Sequence, residues 1–346
     1  METPAVSLLI AVYNTTETYL ERCLDSLLNQ SLANIEIVAI NDGSTDQSPA
    51  ILETYQKRDE RIRVIHQQNR GLGAVRNKGI EAARGEFIAF IDADDWVEPD
   101  YCLRMYEKAK ADQADLVICE YAAEFADTGK TAVSTIASVY AGRPKQLYLK
   151  DLFEGRVSGF SWNKLYKRTM IEHHQLRFPL RDELEHVEDQ YFSLRAHVFA
   201  GAVSYVDQPL YHYRIHLTSI VQSYQKKLFD SGLVLYRLNE AFLRENGCLQ
   251  EYRQELDFFI VQHGTVCLLN EWKRNNGGRF SEKWKNISRI CADPVFRLSL
   301  SKTGTAPFDA KRSCLLLLAK LKLIPFVSLA SAAYQRAIEY KMKIRG

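Results

Sequence analysis

At 346 residues, 46% hydrophobic and 25% charged, the chain is long enough for two domains with cores of their own and too apolar for wholesale disorder. A net charge of +2 makes no global field for nucleic acid, although residues 301–346 gather nine Lys or Arg against two acids. The seven cysteines are scattered without a C-x-x-C pair, which excludes a disulfide framework and a zinc site and suits reduced cytosolic thiols.

Residues 6–13 form a continuous apolar run that lacks a basic leader and stops at Asn14. Neither a signal peptide nor a membrane span is therefore expected here, and no later stretch approaches the ~20 apolar residues a span needs. Residues 17–28 follow with helical spacing at Leu20, Cys23, Leu24, Leu27 and Leu28. A second buried strand at 35–40 ends in Asn41-Asp42-Gly43-Ser44-Thr45-Asp46, with Asp46 placed to cap a helix over 48–58. A strand at 62–66, a helix at 71–83, a strand at 87–91, a helix at 101–111 and a strand at 116–119 complete the run. This alternation predicts an α/β domain of βαβ units, a mainly parallel sheet with helices on both faces. Ligands of such sheets gather at the carboxyl ends of the strands. That edge receives Tyr13 and Asn14, Asn41 and Asp42, and Asp92 and Asp94, with Asn69, Arg70 and Gly71 after the third strand.

Asp92, Asp94 and Asp95 place three carboxylates within four positions of a buried strand end. Such crowding calls for compensation, and a hard divalent ion carrying phosphate oxygens supplies it. The alternative is a solvated turn in which Asp95 caps the next helix and Glu98 completes a capping box. Classical nucleotide loops are excluded: there is no G-x-x-x-x-G-K-[ST], and Arg76 stands where Gly71-Leu72-Gly73 would need its third glycine.

Residues 122–160 lose the period and read as a loop-rich excursion. Regularity returns at 161–168, and a loop carrying Val187-Glu188-Asp189-Gln190 opens a helix. A strand is expected at 203–213, and from Gln225 the pattern is helical, at 228–243, 249–269, 283–291, 314–323 and 325–340. The expected division is therefore an α/β domain over 1–220 and a mainly helical region over 221–346. His173, His174 and His186 show no ligand spacing.

In this order, the segments from Val6-Ser7 to Tyr13-Asn14, Asn41 to Asp46, Asn69-Arg70-Gly71 to Arg76-Asn77-Lys78-Gly79, Asp92-Ala93-Asp94-Asp95, Trp162 to Arg168, and Glu188-Asp189 to Phe192 resemble the inverting family 2 glycosyltransferases of GT-A fold that build bacterial surface polysaccharides. Ala11 departs from the family's usual proline. The resemblance implies that Tyr13 and Asp42 hold a uracil, that Asn69 and Arg76 approach base and diphosphate, and that Asp92 meets ribose and metal. Asp94 would be the principal ligand of Mn2+ or Mg2+, His216 a further ligand and Arg214 a phosphate contact. Asp189 would be the general base, with Glu188 orienting its loop. Trp162 and Lys164 would line the sugar or acceptor pocket, with a core tryptophan as the alternative. The implied partners are a UDP-sugar donor and a glycan or lipid-linked acceptor.

A competing reading is a catalytically idle nucleotide-sugar-binding subunit that recruits a partner through its C-terminal helices. The basic, leucine-rich end either lies on the anionic inner face of the cytoplasmic membrane or packs as a helical hairpin on its own domain or in a homo-oligomer. Nucleic-acid binding is not expected, because its basic residues are not interleaved with exposed aromatics.

Overall fold

The computed structural model describes residues 3–126, 128–157, 159–184, 186–215 and 223–345. It divides into two compact units, one formed by residues up to Leu149 and from 159 to Ile215, the other by Lys150–Val157 and the helices from residue 223 onward. The division thus gives a short piece before residue 160 to the helical unit.

The α/β unit runs β1 (Val6–Val12), α1 (Glu17–Leu28), β2 (Ile35–Asp42), α2 (Ser48–Arg58), β3 (Ile62–Gln67), α3 (Leu72–Ala82), β4 (Phe87–Asp92), β5 (Trp96–Val97) and α4 (Tyr101–Ala111). It continues with β6 (Leu116–Phe125), β7 (Lys130–Val133), α5 (Ile136–Tyr140), α6 (Lys145–Phe153, counted in this unit only up to Leu149), β8 (Lys164–Lys167), α7 (Arg168–His173), α8 (Glu188–Phe199) and β9 (Val203–Ile215). Its single sheet has the order β3-β2-β1-β4-β8-β6-β9-β5, with β7 on β6. The long ladders, β3-β2-β1-β4 and β6-β9, are parallel, and the short β8 is wedged antiparallel between β4 and β6.

Every residue of β2 is buried, the pattern of a strand covered on both faces. Leu8, Ile10, Ile37 and Ala39 share a core with Leu20, Leu24 and Leu27 of α1 and Met105 of α4. Leu9 and Ile40 turn the other way, against Gly79 of α3. Alternate side chains thus serve opposite layers, as the pleat requires.

The region from 122 to 160 is not the loop-rich excursion expected. β6 runs on to Phe125, pairing residue for residue with β9 over Tyr121↔Tyr211 to Phe125↔Ile215, and β7, α5 and α6 follow. Trp162 is likewise a core residue rather than a pocket wall. At 2% exposure it stacks on Phe160 and Tyr211 at 4.5 Å and on Tyr213 at 5.1 Å, with Tyr121 edge-on at 5.0 Å.

The helical unit contains α9 (Leu228–Glu245), α10 (Arg253–Asn270), α11 (Phe280–Ala292), α12 (Pro294–Thr303), α13 (Ala310–Lys320) and α14 (Ile324–Arg345). α10 is buried along nearly its whole length, and Phe258, Val261 and Leu268 meet Phe229, Ile287, Phe296, Leu316 and Val327 around it. No helix among the described residues is long and apolar enough to cross a membrane.

Because Trp162 fills the core, Trp162→Ala is expected to lower unfolding free energy by about 3–5 kcal/mol in denaturant titration. A variant as stable as wild type that changed only KM for an acceptor would return the residue to a pocket.

Candidate active site

Register brings three strand ends level. Val12 pairs with Asn41 and Ala11 with Asp92, so the loops after β1, β2 and β4 leave the sheet side by side. Asn14, at φ 46°, stitches the first two: its Oδ1 accepts from the Thr45 N–H at 2.8 Å and its N–H donates to Ser44 Oγ at 3.1 Å. Tyr13 is thereby held at the rim with 53% of its surface open.

Asp42, at the end of β2, is buried. Its Oδ1 accepts from Gln67 Nε2 at 2.7 Å and the Arg70 N–H at 2.9 Å, and its Oδ2 from the Gly71 N–H at 2.9 Å. Three of about four acceptor positions fix the 67–71 loop, and one remains for a ligand donor. Asn69 lies exposed on that loop, 2.9 Å from where a Cβ on Gly43 would stand, so only glycine at φ 71° allows this approach.

The resemblance implies that Arg76 approaches base and diphosphate; its guanidinium instead lies buried among three carboxylates. Nη2 donates to Asp92 Oδ1 at 3.0 Å, Nη1 donates to Asp189 Oδ1 at 2.6 Å, and Glu188 Oε1 is 3.7 Å away. α3 is held tightly to make this possible. A Cβ on Gly73 would meet the Pro179 carbonyl at 2.2 Å, and Asn77 exchanges two 2.8 Å hydrogen bonds with the backbone of Phe178. The Phe178 ring lies 5.1 Å from the guanidinium and stacks on Phe192 of α8 at 4.1 Å, with Phe90 edge-on to both. Burial alone would lower the Arg76 pKa, but Asp189, Asp92 and Glu188 outweigh it and raise it, so the guanidinium stays charged.

Glu188 and Asp189 open α8 immediately after Val187, a β-branched residue held at φ 64°. Ser161 Oγ donates to Asp189 Oδ1 at 2.7 Å, the same oxygen that Arg76 holds. The other oxygen, Oδ2, takes no hydrogen bond among the described residues. Burial, with the charge of Asp189 beside it and Arg76 opposing, raises the Glu188 pKa to about 7. Burial also raises Asp92 to about 6; Arg76 opposes this, and Asp189 and Asp94 add to it. Lys164 does not face a pocket. It is fully buried, its ammonium donating to the Phe160 carbonyl and to Asn163 Oδ1, and burial lowers its pKa to about 7 against the pull of Asp189.

Asp95 is not a helix cap, and Glu98 completes no capping box. α4 begins at Tyr101, whereas Asp95 is wholly buried, accepting from the Tyr211 hydroxyl and the Arg214 N–H, each at 2.8 Å. It pins the end of β9 over the turn after β4. Arg214 then donates from Nε to the Asp94 carbonyl at 2.8 Å, its guanidinium 4.0 Å from the Tyr19 ring and its buried Nη2 without a partner among the described residues.

Among the described residues no three His, Cys, Asp or Glu side chains form a ready-made metal cage. A hard ion of the Mg2+ type binds through one or two carboxylates plus substrate phosphates and needs none. The donor set fits that case: the Asp94 carboxylate takes no hydrogen bond from the described residues, and Asp92, 26% exposed, gives only Oδ1 to Arg76. His216 lies outside the described residues. Ser161, Phe178 and Tyr211 also belong to the site, and none carries a local signature in the sequence.

The family description "Glycosyl transferase family 2" matches residues 7–175. The protein EpsH of Bacillus subtilis (strain 168) is 69% identical over 346 residues, covering all of both chains. The chain belongs to glycosyl transferase family 2. The succinoglycan biosynthesis protein ExoO of Rhizobium meliloti (strain 1021) is 32% identical over 70% of this chain and 68% of its own. Among solved structures, TarS 1-349 of S. aureus in complex with UDP-GlcNAc superposes with a TM-score of 0.74 at 21% identity, over 96% of this chain and 92% of that one. The family's GT-A-like fold is thus present here, with the helical region following it.

A Glu188 pKa raised to about 7 means that the folded state keeps a proton the unfolded chain has lost, so this contribution to stability is present at low pH and disappears as pH rises through 7. Glu188→Gln holds the neutral form throughout. The variant is therefore expected to gain on wild type by on the order of 1 kcal/mol between about pH 5.5 and about pH 8, read from paired thermal melts. An equal offset at both pH values would contradict the assignment.

Proposed function

We propose that the chain is an inverting glycosyltransferase that moves a hexose or N-acetylhexosamine from a UDP-sugar to a glycan or lipid-linked saccharide during polysaccharide synthesis. The observation that carries this reading is the division of labour within Asp189. One carboxylate oxygen is held by Arg76 and Ser161 at 2.6 and 2.7 Å, and the other takes no hydrogen bond from the described residues on a side chain that is 23% exposed. A carboxylate fixed through one oxygen keeps its second lone pairs aimed, which is what a general base requires.

In a single displacement the acceptor hydroxyl oxygen bonds to the anomeric carbon as the bond from that carbon to the diphosphate oxygen breaks. The hydroxyl proton passes to Asp189 Oδ2, and attack from the face opposite the diphosphate inverts the centre. Tyr13 offers a stacking face to the base and Asp42 one acceptor position to its ring N–H. Arg214, half-buried beside Asp94, offers to a phosphate oxygen the Nη2 that has no partner among the described residues. Asp94 and Asp92 would hold Mn2+ or Mg2+, which when bound acts as a Lewis acid on the leaving diphosphate. Support for a UDP-sugar comes from TarS, a likeness in fold crystallised with UDP-GlcNAc, and support for polysaccharide synthesis from the name of ExoO.

The test is UDP release from a panel of UDP-sugars with Mn2+, with and without acceptor, and the anomeric configuration of the product by NMR. Asp189→Asn is expected to lose roughly 10²–10⁴ in kcat while still binding UDP. Asp94→Ala is expected to weaken UDP binding in Mn2+ and to leave binding in EDTA little changed. Full turnover by Asp189→Asn, or a retained anomeric configuration, would end this assignment. Ser161→Ala keeps Arg76 on the carboxylate, so a smaller loss is expected, about tenfold in kcat with KM unchanged.

A further inference from the structure

The helical unit ends in a hairpin that is apolar on both sides. The N–H groups of Leu321, Lys322 and Leu323 donate back to the carbonyls of Leu317, Ala319 and Leu318, and Lys322 at φ 60° closes α13 before α14 begins. Leu315, Leu316 and Ala319 of α13 and Val327 of α14 face inward and are buried. The outward side repeats at helical spacing with equally apolar residues. Leu317 and Leu321 are 49% and 59% exposed, Phe326 and Leu329 are 56% and 70% exposed, and Leu323 at the turn is 40% exposed. A surface helix normally turns charged residues to water along this stripe, so contiguous exposed leucines and a phenylalanine mark a surface that is covered in use.

Charge names the cover. Lys320 and Lys322 are exposed among these side chains, and no Asp or Glu occurs from residue 310 to 338. Further along the outward stripe of α14 come Arg336 and Tyr340, both exposed and both of the residue types that sit at headgroup level. A second copy seated by a two-fold axis on this face would bring Lys320 and Lys322 of both chains together with no acid of the 310–338 stretch to answer them. We propose that this face lies flat on an anionic lipid surface, with Leu317, Leu321, Phe326 and Leu329 at the boundary between headgroups and acyl chains and the two lysines among the headgroup phosphates. The hairpin lies in the interface because neither helix is long and apolar enough to span. The face belongs to the helical unit and stands whatever the cleft of the α/β unit binds.

The full-length protein is floated with extruded vesicles of phosphatidylcholine alone or mixed with phosphatidylglycerol, at low and high salt. Flotation is expected with the anionic vesicles at low salt, falling at high salt, and with neutral vesicles only weakly. Phe326→Ser with Leu329→Ser is expected to lower partitioning roughly a hundredfold, and Lys320→Gln with Lys322→Gln roughly thirtyfold. All four positions are exposed, so melting temperatures should stay at the wild-type value. Failure of the wild type to float with anionic vesicles at low salt would overturn the proposal, as would flotation undiminished by both double variants. A dimer seen by light scattering that Phe326→Ser with Leu329→Ser dissolves, in a protein that does not float, would assign the face to a second copy instead.

Discussion

The guanidinium of Arg76 lies 3.0 Å from Asp92 and 2.6 Å from Asp189, and the crowded acids of the cleft are compatible with a folded chain because it is there. Arg76 and Asp189 are 113 residues apart in sequence, so this contact joins the rim of the parallel sheet to the first turn of α8. Breaking a buried pair by removing one partner costs about 3–5 kcal/mol, because the survivor is left charged in a poor dielectric. The floor under the pair is correspondingly stiff: Phe178 and Phe192 stack at 4.1 Å with Phe90 against them, and Asn77 fixes Phe178 by its backbone. The separation of the two acids is therefore set by packed rings and a planar fork rather than by flexible side chains.

The parallel half of the fold was legible because its information is local. Buried apolar runs alternate with helical spacing, and the period alone brings Asp42, Asp92 and Asp94 to one edge. What escaped depends on partners far along the chain. β6 continues through Ala122, Ala123 and Glu124, poor strand formers taken into the sheet by β9, and the four residues of β7 are all exposed and carry no apolar period. Asp95 followed by Glu98 has the spacing of a capping box, yet a hydroxyl 116 residues away claims the carboxylate. Trp162 suits a sugar face as well as a core, and only the rings supplied by β6 and β9 decide between them. Ser161 has no signature at all, because a serine shows its role only through what it touches.

The helical unit was readable as a series of amphipathic segments, with one omission that carried its own signal. α12 starts at Pro294 behind Asp293, whose carboxylate accepts from the Val295 and Phe296 N–H groups at 2.9 and 3.0 Å. That pairing of a capping acid with proline at the first helical position is a start mark in the sequence itself. The outward leucines of α13 and α14 were visible as letters, but which of them face the core and which face away needed the packing around α10.

The uneven count of charges in the cleft has a further consequence. Asp92, Glu188 and Asp189 share the enclosed guanidinium of Arg76, and Asp94 adds a carboxylate that takes no hydrogen bond from the described residues, with Arg214 at its backbone carbonyl. On the proposed reading a bare polyphosphate at this rim finds only Arg214 to answer its charge and is held weakly, while the same molecule chelated to a divalent ion is drawn in. The rim would then screen visitors by valence before any side chain tests their shape, and free nucleotide would be a weak competitor wherever chelating ions are scarce.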